Sequence, residues 1–170
     1  MPAFVALLRA INVGGTGLLP MKELAALCRD AGFTAVKTYI QSGNVVLRSR
    51  GGAAAVERTL AAALAKRLGK PAAVFVRTGV ELEAILADNP FPDAAPNRVL
   101  VTFLAAKVPA RALAEVVAPD GEEVVRHGRE LYVHYPNGMG RSRLKLPAAA
   151  AGTARNLNTV RRLAELVAEA

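Results

Sequence analysis

The feature that most restricts the fold is the order of strand-like and helix-like segments in the first half of the chain. Apolar and β-branched residues are concentrated in four short segments with the pattern of strands, namely residues 3–8, 35–41, 44–49 and 72–77. Apolar residues at helical spacing follow Pro20 up to Gly32, and they fill one face of residues 53–68. The resulting order of strand, helix, strand, strand, helix, strand is that of a ferredoxin-like unit.

The second half repeats this order of element types without repeating individual residues. Thr78-Gly79-Val80-Glu81 matches a capping box and predicts a short helix. The remaining pattern predicts a strand over 98–104, a helix from Pro109 to Pro119, a hairpin that turns at Gly128-Arg129, and a final helix that starts near Thr153.

These patterns predict an α+β protein of two ferredoxin-like halves, each in βαββαβ order, packed into one compact unit with a C-terminal helix. We expect the boundary between the two halves to follow residue 78. Residues 1–78 would form the N-terminal ferredoxin-like half, and residues 79–170 a C-terminal α+β half with the terminal helix. A chain of 170 residues, 52% of them hydrophobic, is long enough to bury a core of its own.

The composition also limits the cellular locations that we expect for the protein. No apolar run reaches the length of a membrane span, so we expect no membrane partner. The apolar start of the chain, residues 3–8, has no basic residue before it and is interpreted as a first strand rather than a signal peptide. The single cysteine, Cys28, excludes an internal disulfide framework, and the expected location is the cytoplasm.

The net charge of +8 is unevenly distributed along the sequence. Residues 126–162 contain eight Lys and Arg residues against one acid, Glu130. One interpretation is attraction of phosphate groups, including those of nucleic acid. The other is an ordinary solvated surface, since runs of charge often have no further role.

Three short polar segments are the candidates for a binding site, because each combines polar side chains with glycine or a helix start, where backbone N–H groups are free to meet a ligand. The predicted ligand-binding residues are Arg9, Asn12, Gly14 and Gly15 in the first segment, Gln41, Ser42 and Asn44 in the second, and Arg155, Asn156 and Asn158 in the third. We expect the side chains of these segments to converge in one polar cleft. The alternative is that each set satisfies only its own turn or helix cap.

Known nucleotide-binding signatures are absent from the glycine-rich segment. The glycines at positions 14, 15 and 17 do not form a dinucleotide-binding fingerprint, and no Gly-Lys-Ser/Thr follows them as a P-loop would require. No grouping of His, Cys and Asp has metal-ligand spacing, so neither a metal nor a cofactor is predicted. Catalytic residues stay unassigned, since His127 and His134 lie in a predicted hairpin and are interpreted as surface or satisfied strand histidines.

Three functions remain open from the residues alone. The first is a binding module for a phosphate-bearing ligand or nucleic acid, acting through a basic polar cleft. The second is an enzyme that acts on a small phosphorylated or carboxylated substrate held by Arg9 and Arg155, for which the sequence offers no obvious general base. The third is a structural or protein-partner module. Neither enzymatic activity nor oligomeric state is decided by the sequence.

The polar segments also carry a family resemblance. Residues 5–15 (VALLRAINVGG), 38–46 (TYIQSGNVV), 89–91 (NPF) and 153–159 (TARNLNT) resemble the bacterial family known as domain of unknown function 1697. Two positions depart from the family pattern, which usually has Gly where Ala10 stands and Trp where Leu157 stands. The resemblance implies an α+β protein built from two ferredoxin-like halves, and it implies no established activity.

Overall fold

The structure is a computed structural model, and it describes residues 1–9, 19–39 and 43–170. Within these residues the fold is mixed α+β, with two four-stranded antiparallel sheets and four α-helices. The strands are β1 (Ala3–Leu8), β2 (Thr34–Tyr39), β3 (Asn44–Arg48), β4 (Val74–Thr78), β5 (Val99–Phe103), β6 (Glu123–His127), β7 (Glu130–His134) and β8 (Thr153–Asn156). The helices are α1 (Met21–Asp30), α2 (Ala53–Leu68), α3 (Gly79–Ala87) and α4 (Leu157–Glu169).

The chain divides into two compact units. The first comprises Met1–Glu83 together with Arg162–Ala170, and the second comprises Ala84–Arg161. Sheet 1, in the first unit, has the strand order β2-β3-β1-β4, and sheet 2, in the second unit, has the order β6-β7-β5-β8. All neighbouring strands in both sheets are antiparallel.

The core of the first unit lies between one face of sheet 1 and helices α1 and α2. Phe4, Ala6 and Leu8 alternate along β1 and therefore share this face, where they cluster with apolar side chains such as Leu24 of α1 and Leu60 of α2. The intervening residues of β1 are buried as well, so the strand is apolar on both faces. This explains the continuous apolar run at the start of the sequence.

Sheet 2 has a buried centre and an exposed edge strand. Val101 and Tyr132 face each other on the central strands β5 and β7, and both side chains are fully buried. The Tyr132 hydroxyl donates a hydrogen bond to the Ile85 carbonyl oxygen at 2.7 Å, which satisfies the only polar group of this side chain. Burial raises the pKa of Tyr132, so the phenol stays protonated. By contrast, most of edge strand β6 is exposed.

Three local predictions about elements are confirmed. The structure has a strand at Ala3–Leu8, as predicted. Thr78 and Glu81 form the predicted capping box, in which the Glu81 N–H donates to Thr78 Oγ1 at 3.1 Å and the Thr78 N–H donates to Glu81 Oε1 at 3.0 Å. The β6–β7 hairpin turns at Gly128-Arg129, with Gly128 at φ +58°, the backbone that a glycine-first turn requires.

The predicted helix between Pro109 and Pro119 is wrong. The structure has only a 3₁₀ turn at Ala110–Leu113. Beyond it, Val117 exchanges two backbone hydrogen bonds with Lys145, at 3.0 and 2.9 Å. This bridge holds the second part of the segment in extended backbone, and a helix would leave the same N–H and C=O groups of Lys145 without these partners.

Candidate functional site

The end of β1 and the start of β3 lie side by side at one end of sheet 1. The Leu8 N–H donates to the Gly43 carbonyl oxygen at 2.9 Å, and the N–H of the exposed Arg9 donates to the Ala73 carbonyl oxygen at 3.1 Å. Because β1 and β3 are antiparallel, the end of β1 and the start of β3, which adjoin the first and second polar segments in sequence, lie at the same end of the sheet. The predicted site residues Asn12, Gly14, Gly15, Gln41 and Ser42 lie outside the described residues.

Asn44 is fully buried at the first position of β3, opposite Leu7 of β1. Its side-chain amide Nδ2 donates to the Tyr39 carbonyl oxygen at 2.9 Å, and this bond ties the end of β2 to the start of β3. A buried amide must be hydrogen-bonded to offset its lost hydration. The bond shows that Asn44 helps to hold the β2–β3 hairpin.

The first four residues of the third polar segment are a strand, and the expectation that a helix starts near Thr153 is wrong. Residues 153–156 form β8, which pairs with β5 and completes sheet 2, and α4 begins only at Leu157. The backbone N–H and C=O groups of the segment therefore serve the β5–β8 ladder. Tertiary pairing of this kind overrides local helix propensity.

Arg155 is accordingly a buried strand residue and does not lie in the first turn of a helix. It pairs with Val101 of β5 and is 6% exposed. Its guanidinium Nη1 donates to Thr153 Oγ1 at 2.6 Å and to the Ala154 carbonyl oxygen at 2.9 Å. Burial lowers the pKa of Arg155 to about 10, which still leaves the group charged near neutral pH. These bonds assign Arg155 a structural role within sheet 2.

The asparagines that follow Arg155 differ in their roles. Asn156 caps α4, because its Oδ1 accepts a hydrogen bond from the Thr159 N–H at 2.9 Å. Asn158 is exposed in the first turn of α4.

Sheet 1 contains an equivalent arrangement of a buried strand arginine followed by a helix cap. The sequence patterns did not predict it. Arg77 on β4 pairs with Val5 of β1, is 1% exposed, and donates from Nη1 to the Val76 carbonyl oxygen at 3.0 Å. The next residue, Thr78, caps α3. In both sheets, then, the strand that comes last along the chain, β4 or β8, carries a buried arginine directly before the residue that caps the following helix. The signal in the sequence is an arginine inside an apolar strand, followed by a capping residue.

The basic stretch at residues 126–162 is not a continuous positive surface. Arg155 is buried, Arg162 pairs with Glu165 at 2.9 Å, and Arg143 pairs with Asp120 at 2.9 Å. The hydrogen bond from Arg143 holds the pKa of the Asp120 carboxyl below its ordinary value. Several of the charges counted in the sequence are therefore already engaged within the protein.

A more compact group of basic side chains surrounds the β6–β7 turn. The Val108 N–H donates to the Gly128 carbonyl oxygen at 2.9 Å, which places the segment after β5 alongside the turn. Arg126 Nη1 reaches the Val108 carbonyl oxygen at 3.4 Å. We call the following residues of this region the hairpin basic cluster: Lys107, Arg111, Arg126 and Arg129. The first three are exposed.

The two histidines contact neighbouring segments of the second unit. His127 Nε2 lies 3.4 Å from Asp88 Oδ2 at the exposed edge of sheet 2. The His134 ring packs on the Phe91 ring with centroids 5.4 Å apart. The Asn89-Pro90-Phe91 segment thus forms a turn, closed by the Phe91 N–H bond to Asn89 Oδ1 at 3.0 Å, and it packs on sheet 2.

In the parts of the chain that the structure describes, no three His, Cys, Asp or Glu side chains are grouped so that they could hold a metal ion. Over the same residues, no helix has both the length and the apolar character needed to cross a membrane.

Cys28 is expected to be unreactive in the folded protein. It is fully buried in the core cluster on α1, and burial raises the pKa of its thiol to about 12. Because the thiolate is the nucleophile, both access and ionisation are suppressed at about pH 8. A disulfide reagent should label the urea-unfolded chain at its single thiol and leave the folded protein unlabelled over the same time. Equal labelling rates in the two states would contradict this expectation.

The comparisons with known proteins agree with this architecture. A solved structure titled as the conserved bacterial protein SP0830 from Streptococcus pneumoniae matches with a TM-score of 0.80 and 20% sequence identity, covering 98% of this chain and 98% of that chain. At this identity the match shows a shared fold. No curated protein matches the chain. A family model described as "Protein of unknown function (DUF1697)" matches residues 1–132, and the chain therefore belongs to the DUF1697 family.

Proposed function

We propose that the protein binds nucleic acid, or another phosphate-bearing partner, through the hairpin basic cluster. The observation that carries this proposal is that Lys107, Arg111 and Arg126 are exposed on two segments, residues 107–111 and β6, which hydrogen bonds at Val108 hold side by side. Exposed Lys and Arg side chains attract phosphates and displace the counterions condensed on a nucleic-acid backbone. The net charge of +8 supports the association by long-range attraction.

The chemistry favours recognition of the backbone over recognition of bases. Aromatic residues make up only 5% of the chain, which leaves few platforms on which bases could stack. Edge strand β6 exposes Glu123 at one end, and Val125, Arg126 and His127 towards the turn. We therefore expect binding that depends strongly on salt and weakly on sequence.

The test is binding of fluorescent duplex DNA and single-stranded RNA as a function of salt, with a doubly charge-reversed variant, Lys107→Glu with Arg111→Glu. Among the described residues, neither the Lys107 side chain nor the Arg111 side chain makes a hydrogen bond on which the fold depends. Wild type should bind at about 50 mM salt, and the logarithm of its binding constant should fall by about 0.9 per phosphate contact for each tenfold rise in salt. The variant should bind at least about tenfold more weakly, with a shallower slope.

The matched control is Arg58→Glu with Lys70→Glu, which makes the same change of net charge at exposed positions of the first unit. This control should keep most of the affinity, because the lost charges lie outside the cluster. An equal loss in both variants would show that only net charge matters. Absence of binding to either polymer at low salt would refute the proposal. Binding of free nucleotide or phosphate without the polymers would favour the enzyme alternative.

The finer features of the fold belong to the same set of proposals. The β2-β3-β1-β4 order of sheet 1, with α1 and α2 as connections, supports a ferredoxin-like first half. The second half has 3₁₀ turns at Ala110–Leu113 and Pro147–Ala149 where the two helices of such a unit would stand. The division into residues 1–78 and 79–170 stays a prediction, as does the cytoplasmic location.

The single polar cleft also stays a prediction. Its support is that Arg9, which is exposed, and Asn44, the described ends of the first and second polar segments, lie at the same end of sheet 1. The local bonds of Asn44, Arg155 and Asn156 favour structural roles for these three residues. An Arg9→Ala variant that keeps its stability and loses phosphate binding would support a ligand site there.

A further inference from the structure

Three loop segments of the second unit enclose a small cavity near the start of β6 and the end of β7. Its volume is about 110 Å³. The polar residues that line it are Asp120, Glu122, Tyr135, Asn137, Arg141 and Ser142. Neither the predicted site nor the hairpin basic cluster includes any of these residues. The lining contains carboxylates, a phenol and a guanidinium, so groups of both charge signs meet in one cavity.

Glu122 supplies a buried negative charge to this cavity. The residue is 7% exposed. Its Oε1 accepts a hydrogen bond from Ser142 Oγ at 2.8 Å, and its Oε2 accepts one from the Asp120 N–H at 2.9 Å. Each carboxylate oxygen can accept a further bond. A buried carboxylate is costly unless cations compensate it. Arg143 already interacts electrostatically with Glu122, and an ammonium group in the cavity adds a second cation that can be hydrogen-bonded directly.

Arg141 and Tyr135 supply the opposite chemistry. Arg141 is exposed, and it brings a guanidinium to the lining, a group that matches a carboxylate in shape and charge. Burial, together with the charge of Glu122, raises the pKa of Tyr135 above its ordinary value. The phenol therefore remains protonated and able to donate a hydrogen bond to an anionic group.

The walls of the cavity are held in place without a ligand. Arg143 Nη2 donates to Asp120 Oδ1 at 2.9 Å, and Asn137 Nδ2 donates to the Asp120 carbonyl oxygen at 3.3 Å. The Ser142 hydroxyl, which donates to Glu122, also accepts the Leu144 N–H at 3.2 Å. A site that is fixed before binding loses less entropy when a ligand enters it.

We propose that this cavity binds a free α-amino acid with a small side chain, its ammonium group at Glu122 and its carboxylate at Arg141 and Tyr135. The volume limits the ligand to the smallest members of this class, since a cavity of about 150 Å³ holds benzene and this smaller cavity of about 110 Å³ suits glycine, which has one heavy atom fewer. The site is separate from the hairpin basic cluster, so either proposal can fail without the other.

The test is an NMR titration of the isotope-labelled full chain with glycine. Three further probes separate the head groups and the size limit: glycinamide has the ammonium without the carboxylate, acetate has only the carboxylate, and L-leucine has both with a larger side chain. Glycine should shift the amide resonances of Glu122, Asn137 and Ser142. Each of the three other probes should bind at least about tenfold more weakly, the loss expected from one charge-assisted hydrogen bond or from a steric mismatch.

Two variants complete the test. Arg141→Gln and Glu122→Gln should each weaken glycine binding by about tenfold. Arg58→Gln, an exposed arginine of the first unit that belongs to neither proposed site, should leave it unchanged. Arg141→Gln is a surface change, so it remains informative even where Glu122→Gln fails to fold. Amide resonances that stay unshifted up to about 50 mM glycine would overturn the proposal, because this concentration is far above the dissociation constant expected even for weak binding. So would an Arg141→Gln variant that binds as wild type does.

Discussion

Replacing Gly152 with alanine is expected to lower the free energy of unfolding by about 3 kcal/mol, the upper part of the usual range for overpacking. A Cβ at this position would lie 2.4 Å from the Phe103 carbonyl oxygen and 2.9 Å from Leu104 Cδ2. The carbonyl belongs to the backbone of β5, next to the point where Phe103 pairs with Thr153 of β8. The clash can be relieved only by moving one strand away from the other.

The measurement is urea unfolding of wild type and variant, followed by far-ultraviolet circular dichroism. The midpoint should fall while the slope of the transition stays the same, which indicates a loss of stability rather than a change in the state that unfolds. Gly140→Ala is the matched control, because a Cβ there meets no atom within 4 Å and the backbone is not in the left-handed region. It should change stability by less than about 0.5 kcal/mol. A Gly152→Ala variant as stable as this control would refute the close approach of Gly152, the residue before β8, to the Phe103 carbonyl of β5.

Replacing Leu60 with alanine is expected to cost about 2–5 kcal/mol of stability, the range measured for buried leucines. Leu60 lies on α2, has no exposed surface, and belongs to the core cluster that also contains Leu24 and Cys28. The change removes apolar contacts and leaves a cavity that α2 can close only in part. The loss should appear as a lower urea midpoint and a lower melting temperature.

Thr59→Ala serves as the control, since this neighbour on α2 is exposed. It changes the same helix without opening a cavity and should stay within about 0.5 kcal/mol of wild type. The two variants together also probe the Cys28 thiol. Loosening of the core by Leu60→Ala should speed labelling of Cys28 in native buffer, whereas Thr59→Ala should leave it protected. A Leu60→Ala variant with wild-type stability would contradict the assignment of this residue to the core.

Elements with strong local signals were predictable from the sequence. The capping box at Thr78 and Glu81 needs only residues that are three positions apart, and the Gly128-Arg129 turn needs only one residue that tolerates positive φ. The strand at Ala3–Leu8 followed from a short apolar run. For the capping box and the turn, the interactions that decide the conformation lie within a few residues along the chain. The strand pairs with the distant strands β3 and β4, but its continuous apolar run marks it as a buried strand in the sequence.

Pairing between distant segments was not predictable in this way. The residues of β8 have the composition of a helix start, yet β5, some fifty positions earlier in the chain, holds them extended. The predicted helix after Pro109 is lost for the same reason, because Val117 pairs with Lys145. A segment follows its own propensity only when no partner strand offers hydrogen bonds to its backbone, and the sequence does not show which partners will be near.

The same distinction between local and long-range interactions applies to the candidate sites. The sequence by itself determined that the chain is an α+β protein with an excess of positive charge and polar segments at element boundaries. Only the tertiary structure decided which charges are available. It buried Arg77 and Arg155 in the sheets, and it held the segment that begins with Lys107 beside the β6–β7 hairpin, whose strand β6 carries Arg126. The physical reason is that a charge acts through its surroundings in space, through burial and nearby partners, and adjacency in sequence fixes neither of them.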